Sequence, residues 1–159
     1  MKRNFSIMTL ILVSLLMLSA GPASAARLKG VVTSAATSHH EVCASIAQLS
    51  GTEAGTCAVS EEVKNAVLIK ATRKLSMKEG QDVILKAKGT GKVMARVAKV
   101  LPKGTDLKTL SEAVTNNGAI IVTGEKGKMA VIIPEKPFVP EKDAKVTMKT
   151  KQKQLIEGC

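Results

Sequence analysis

Apolar and polar side chains alternate over residues 82–88 and again, with interruptions, over residues 93–101. A period of two residues is typical of a β-strand that buries one face. Because Gly89, Thr90 and Gly91 separate the two stretches, the pattern predicts a β-hairpin.

Two shorter stretches, 119–123 and 128–133, are almost wholly apolar and flank a glycine-bounded turn. They predict a second hairpin. Residues 28–35 predict a short strand near the start of the domain. Val146 and Met148 alternate with polar residues and predict one last strand at an edge of the sheet.

Helical spacing of apolar residues marks two further segments. One helix is predicted over His39–Leu49, where Ser38 or Thr37 can accept a hydrogen bond from a free N–H of the first turn. A second, shorter helix is predicted over 106–114, with Asp106 as its cap.

The segment after Ser60 is open to two interpretations. Ser60 can cap a helix, Glu61 and Glu62 suit the positive end of its dipole, and Gly80 can end it. The alternative is a strand over residues 66–75. The capping residues favour the helix.

The order helices, hairpin, helix, hairpin predicts an α+β domain with a small, mostly antiparallel sheet and two or three helices. A partly open β-barrel built from the same strands is the alternative. We expect a single domain over 26–140, with a disulfide-bearing segment at 26–60 and a basic part at 61–140. Residues 141–159 are expected to be a basic tail.

The beginning of the chain has the features of an export signal. Lys2 and Arg3 precede the uncharged apolar residues 5–19, and small residues follow. This pattern predicts a signal peptide over residues 1–25, cleaved after Ala25, and hence a periplasmic or secreted protein. An uncleaved membrane anchor is the alternative. No other stretch is apolar for long enough to span a bilayer.

Three cysteines, Cys43, Cys57 and Cys159, lie beyond the predicted cleavage point. An exported protein can keep disulfides. We favour a Cys43–Cys57 disulfide, because two glycines between them allow the chain to turn back, although the sequence leaves three pairings open. Cys159 can then stay free or join two chains into a dimer.

The densest group of potential metal ligands comprises His39, His40, Glu41 and Cys43, and Cys57 can join it. Imidazole and thiolate bind zinc or copper. Either His39 or His40 can share a face with Cys43, but adjacent histidines on a helix point about 100° apart, so both cannot readily face one ion and either pair gives two ligands at most. We therefore favour a disulfide beside two solvated histidines, and keep a small metal-binding or redox protein as the alternative function.

Composition excludes some functions and leaves others open. The chain carries a net charge of +11, but its 45% apolar content exceeds that of a disordered basic protein. It contains no G-x-S-x-G or H-E-x-x-H motif, so we expect no enzymatic activity. Two phenylalanines are its only aromatic residues, which makes nucleic acid an improbable partner because single-strand binders stack bases on aromatic rings.

The excess of positive charge is the strongest remaining signal. It predicts capture of an anionic partner, either an envelope polymer, a lipid headgroup or an acidic protein. The alternative is a solvated surface that serves solubility. The candidate binding residues lie on the first hairpin and in the tail: Lys86, Lys88, Lys92, Arg96, Lys99, Lys149, Lys151 and Lys153.

Overall fold

The computed structural model describes residues 27–52 and 57–151. Strands account for much more of this part of the chain than helices do. The elements, in chain order, are β1 (Arg27–Ala36), α1 (His39–Ser50), β2 (Ala66–Ala71), β3 (Asp82–Ala87), β4 (Val93–Leu101), α2 (Leu107–Ala113), β5 (Ala119–Thr123), β6 (Met129–Pro134) and β7 (Lys145–Lys151).

The seven strands form a closed barrel in the order β1-β2-β5-β6-β4-β3-β7, and β7 pairs back onto β1. All neighbouring pairs are antiparallel except β2 and β5. Both predicted hairpins are confirmed, as is a mostly antiparallel sheet accompanied by helices. The open α+β sheet is therefore correct only in part, and the barrel alternative fits better. Closure removes the unpaired strand edges that an open sheet would expose.

The strand at Val146 and Met148 is confirmed, but its predicted place at an edge is wrong. β7 lies between β1 and β3, where Val146 pairs with Gly30 on one side and Ala87 on the other. Residues 145–151, which the sequence assigned to the basic tail, are thus part of the barrel wall. The predicted signal peptide, Lys153 and Cys159 lie outside the described residues.

The predicted helix after Ser60 is also wrong, because residues 66–71 form β2. Ser60 closes only a single turn: its hydroxyl accepts a hydrogen bond from the N–H of Glu62, and its carbonyl oxygen accepts one from the N–H of Val63. The first four residues of β2 are all buried. A strand buried on both faces carries a continuous apolar run without alternation, and such a run resembles a buried helix in sequence.

The apolar residues form two cores on either side of the barrel wall. The first fills the barrel interior and includes Ile120, Ile132 and Met148. The second lies outside the barrel, where Ile46 of α1 and Leu110 of α2 cover the outer faces of β2, β5 and β6. β5 and β6 each lie three strands from β7 around the barrel, so the helices cover the side opposite β7.

The two helices begin and end where the sequence predicted within one or two residues. Ser38 caps α1 by accepting a hydrogen bond from the N–H of Glu41, and Gly51 ends it with φ of 73°. Asp106 caps α2 in the same way through Thr109. In the described residues neither helix is long and apolar enough to cross a bilayer.

Candidate functional site

The outer face of the β1–β7 pair carries basic side chains from both strands. In the register of this antiparallel pair, Arg27 lies directly opposite Lys149, and Lys29 lies opposite Thr147. Arg27, Lys29 and Lys149 are exposed, and the intervening residues Leu28 and Met148 point into the barrel. The alternation that fills the interior therefore places these cations together on the outside.

β3 extends this surface on the other side of β7. Lys86 lies opposite Thr147, so Thr147 separates Lys86 from Lys29 across three strands. Neighbouring strands are about 4.8 Å apart, and alternate residues of one strand about 6.8 Å apart. The backbone positions of Lys29 and Lys86 are thus separated by about 10 Å. Lys88 and Lys92 flank the turn of the β3–β4 hairpin at the border of the same surface.

We call this surface the cationic face. Its members are exposed lysines and one arginine on one side of the barrel: Arg27, Lys29, Lys86, Lys88, Lys92, Lys145 and Lys149.

Carboxylates are scarce on these strands. β1 and β7 contain no acidic residue, and β3 contains only Asp82. The Asp82 carboxylate is 3.4 Å from Nε of Arg96 on β4, and both side chains are well exposed. This ion pair offsets the charge of Arg96 and leaves the cations of β1 and β7 without an acidic partner on their own strands.

The candidate binding residues predicted from sequence do not all meet. Lys86, Lys88, Lys92 and Lys149 lie on the cationic face, whereas Lys99 lies beyond an irregularity in β4 that places it opposite Val131 of β6. The register places Lys151 opposite Asp82, and its side chain is not described.

Arg27 and Lys29 are not among the binding residues predicted from the sequence. Both precede the first predicted helix and belong to a segment whose charge is balanced overall. Their alternation with Leu28 and Gly30 indicates a strand, but it does not show that β1 pairs with β7, a strand more than 100 residues away. The strand order, which closes the barrel, is what brings the two basic segments together.

An open cleft of about 840 Å³ borders the cationic face, between the β3–β4 turn and the segment that precedes β7. Lys88, Lys142 and Lys145 line it together with Glu141 and Asp143. Because acids accompany the lysines there, the cleft is mixed in charge, and of its lining residues only Lys88 and Lys145 belong to the cationic face.

A second cluster of chemical interest lies at the start of α1, on the helical side of the barrel. The predicted Cys43–Cys57 disulfide is present, with the two Cα atoms 5.4 Å apart. His39 and Cys43 are one helical turn apart on the same face of α1, and Nε2 of His39 is 3.4 Å from Sγ of Cys43. The other ring nitrogen of His39, Nδ1, is 3.3 Å from the carbonyl oxygen of Val63.

The structure shows that His39, and not His40, lies beside the two cysteines, a choice that the sequence left open. The ligand atoms of His39, Cys43 and Cys57 all lie within 4.8 Å of one another, so this group offers three ligands instead of the two expected from α1 alone. His40 is not part of the group, because the next residue on a helix points about 100° away. Among the three, His39 is half-buried and Cys57 is exposed.

Glu41, also considered as a ligand, has a different role. Its carboxylate accepts hydrogen bonds from the backbone N–H of Thr37 at 2.7 Å and from the Thr37 hydroxyl at 3.1 Å. These two bonds hold the pKa of Glu41 below its ordinary value. The carboxylate therefore stabilises the turn that leads into α1.

No family model, no curated protein and no solved structure matches this chain.

Proposed function

We propose that this is an exported, non-enzymatic binding protein that captures an anionic polymer of the cell envelope on its cationic face. The observation that carries this proposal is the pairing of Arg27 with Lys149 on the outer surface. Like charges directly opposite each other weaken a sheet. An extended anion that lies along β1 and β7 would place negative groups between them and relieve that repulsion.

The distribution of charge supports binding over solubility alone. A surface that serves solubility intersperses both signs, whereas the three neighbouring strands β1, β7 and β3 hold six basic residues and one acidic residue. One sign of charge concentrated on one face raises the local concentration of an oppositely charged partner.

Among the described residues, no large apolar side chain of the cationic face is well exposed, and this favours a hydrophilic polymer over a lipid surface or an acidic protein. Proteins that lie on membranes insert apolar side chains, and stable protein interfaces have an apolar centre. Ile84 and Met94, which lie among the cations, are only half-exposed. The large apolar side chain that is well exposed in the described part of the chain is Val139, which lines the mixed cleft instead.

The proposed partner carries its negative charges on phosphate or carboxylate groups. Such groups suit lysine ammonium ions, which act as compact point charges and require no planar geometry. A base-stacking partner is disfavoured, because no tryptophan or tyrosine is available to stack on.

The proposal of export to the periplasm or the medium is supported by the Cys43–Cys57 disulfide. Disulfides persist in oxidising compartments and are rare where thiols are kept reduced.

Isothermal titration calorimetry tests the proposed class of partner. The three probes are linear polyphosphate, polygalacturonate and vesicles rich in phosphatidylglycerol. We expect binding to at least one of the two soluble polymers, and weakening of that binding as salt is raised. Binding to vesicles without binding to either polymer would replace the polymer with a lipid surface. Binding that does not respond to salt would refute electrostatic capture.

A further inference from the structure

The Cys43–Cys57 disulfide has an imidazole at one end, and nothing in the proposed capture of a polymer uses it. Nε2 of His39 lies 3.4 Å from Sγ of Cys43, and the three ligand atoms of His39, Cys43 and Cys57 lie within 4.8 Å of one another. In a tetrahedral zinc site with bonds of about 2.0–2.3 Å, the ligand atoms are about 3.3–3.8 Å apart. The two sulfurs, which the disulfide now joins, would have to move apart to reach this spacing.

We propose that this cluster is a redox-gated zinc site. In the oxidised protein the sulfurs are bonded to each other and cannot act as thiolates. After reduction, Cys43, Cys57 and His39 would bind one Zn²⁺, with water as the fourth ligand. Two thiolates and one imidazole form a donor set that zinc readily accepts.

The two steps balance. A dithiol reductant transfers two electrons and two protons to the disulfide, and is itself converted to a disulfide, while Cys43 and Cys57 become thiols. Binding of Zn²⁺ by the two thiols and the neutral imidazole then releases two protons.

The hydrogen bond between His39 and Val63 prepares the imidazole for this role. A carbonyl oxygen can only accept a hydrogen bond, so Nδ1 of His39 carries the proton that it donates to Val63. With the proton on Nδ1, Nε2 is the ring nitrogen that lies next to Cys43 and can offer a lone pair to a metal ion. Histidines that bind metals commonly donate the other ring N–H to a carbonyl or carboxylate in this way.

The surroundings of the cluster combine a rigid part with an accessible part. His39 and Cys43 stand on α1, which is anchored by the fully buried side chains of Val42 and Ile46. Val63 is also fully buried and fixes the carbonyl that His39 contacts. Cys57 is exposed, so a reductant and a metal ion can both approach from its side.

Zinc binding to the full chain in a Cys159→Ser background tests the proposal, since only the two thiols of interest then remain. The protein is reduced, desalted without oxygen and titrated with Zn²⁺ against a chromophoric chelator. We expect one zinc per reduced chain and none per oxidised chain. A reduced chain that takes up no zinc would overturn the proposal.

Two histidine variants locate the site. His39→Ala should lower the affinity for zinc at least tenfold. His39→Cys should restore the affinity by supplying a third thiolate. Restoration by His39→Cys would show that the loss in His39→Ala comes from the missing ligand and not from misfolding. His40→Ala is the matched control and should bind like the parent. Equal loss in the two alanine variants would overturn the assignment of His39. Co²⁺ in place of zinc should give thiolate-to-metal absorption, and its absence would exclude Cys43 and Cys57 as ligands.

Discussion

Arg27 and Lys149 face each other directly across the β1–β7 pair, on the outside of a barrel that their neighbours Leu28 and Met148 fill from within. The strands that close the barrel thus bring together two like charges. The repulsion between these two charges destabilises the sheet, and the same two charges attract an anionic partner. A substitution at this pair should therefore change both the free energy of unfolding and the affinity for the partner.

Reversing one of these charges should move stability and binding in opposite directions. Lys149→Glu replaces a repulsive cross-strand pair with an attractive one, so we expect the free energy of unfolding to rise by about 0.2–1 kcal/mol. The same change should weaken polyanion binding. Urea unfolding and titration of the same preparation measure both quantities.

The matched control for that variant is Lys108→Glu, which reverses an exposed lysine on α2, on the side away from β7. It should leave polyanion binding close to that of the parent, apart from the small effect of net charge. A lower free energy of unfolding for Lys149→Glu would contradict the repulsion between Arg27 and Lys149 that the strand register implies.

Gly30 of β1 is packed closely against the neighbouring strand β2. A Cβ atom added there would lie 2.6 Å from Cγ2 of Ile69 and 3.0 Å from the carbonyl oxygen of Lys70. Because part of this contact is with backbone, the neighbours cannot simply rotate away. Gly30→Ala should therefore lower the free energy of unfolding by about 1–3 kcal/mol, measured by urea unfolding.

Gly91 provides the comparison, since a Cβ atom there would meet no atom within 4 Å. Gly91→Ala should cost much less than Gly30→Ala. Equal costs would show that backbone freedom, and not steric contact, decides the outcome at Gly30.

The sequence predicted elements more successfully than it predicted their arrangement. The alternating runs around Val83 and Leu85 gave correct strands, because each buries one face against the barrel interior and exposes the other. β2 was misassigned, because Val67 faces the barrel interior while Leu68 faces the helices, and burial on both sides removes the alternation.

Reduction of the Cys43–Cys57 disulfide without added metal should destabilise the fold. The crosslink closes a loop with a sequence separation of 14 residues, which corresponds to about 3 kcal/mol in the chain-entropy model. Chemical unfolding of the Cys43→Ser/Cys57→Ser double variant, compared with the oxidised parent, measures the difference. An unchanged denaturant midpoint would mean that the Cys43–Cys57 segment does not stabilise the part of the protein that unfolds cooperatively.

Acid should weaken the two helix starts. Hydrogen bonds from the Thr37 N–H and hydroxyl hold the pKa of Glu41 below its ordinary value, and those from the Thr109 side chain and then its backbone do the same for the pKa of Asp106. A carboxylate with a lowered pKa stabilises the fold above its unfolded-state pKa. That contribution is lost as pH falls through the folded-state value.

Urea midpoints recorded from about pH 7 to about pH 3 test this dependence in the parent and in Glu41→Gln. The parent should lose more stability towards acid than the variant, which has no carboxylate to protonate at position 41. Parallel curves for the two proteins would contradict the assigned role of Glu41.

The binding residues predicted from the sequence include four of the seven members of the cationic face, and the limit has a physical cause. Lys86 and Lys92 are close along the chain, so the β3–β4 hairpin brings them together by itself. Arg27 and Lys149 come together only because β1 and β7 close the barrel. Such a long-range pairing depends on the whole strand order, and no local pattern of residues encodes it.

The most direct test of the central claim compares two triple variants that lose the same charge. Lys29→Gln/Lys86→Gln/Lys149→Gln removes three members of the cationic face, and Lys64→Gln/Lys108→Gln/Lys126→Gln removes three exposed lysines that lie outside it. Affinity for whichever soluble polyanion the parent binds is measured for both at one salt concentration. We expect the first variant to lose at least tenfold more affinity than the second. Equal losses would show that net charge alone attracts the polyanion, and would contradict a binding site built by the β1–β7–β3 surface.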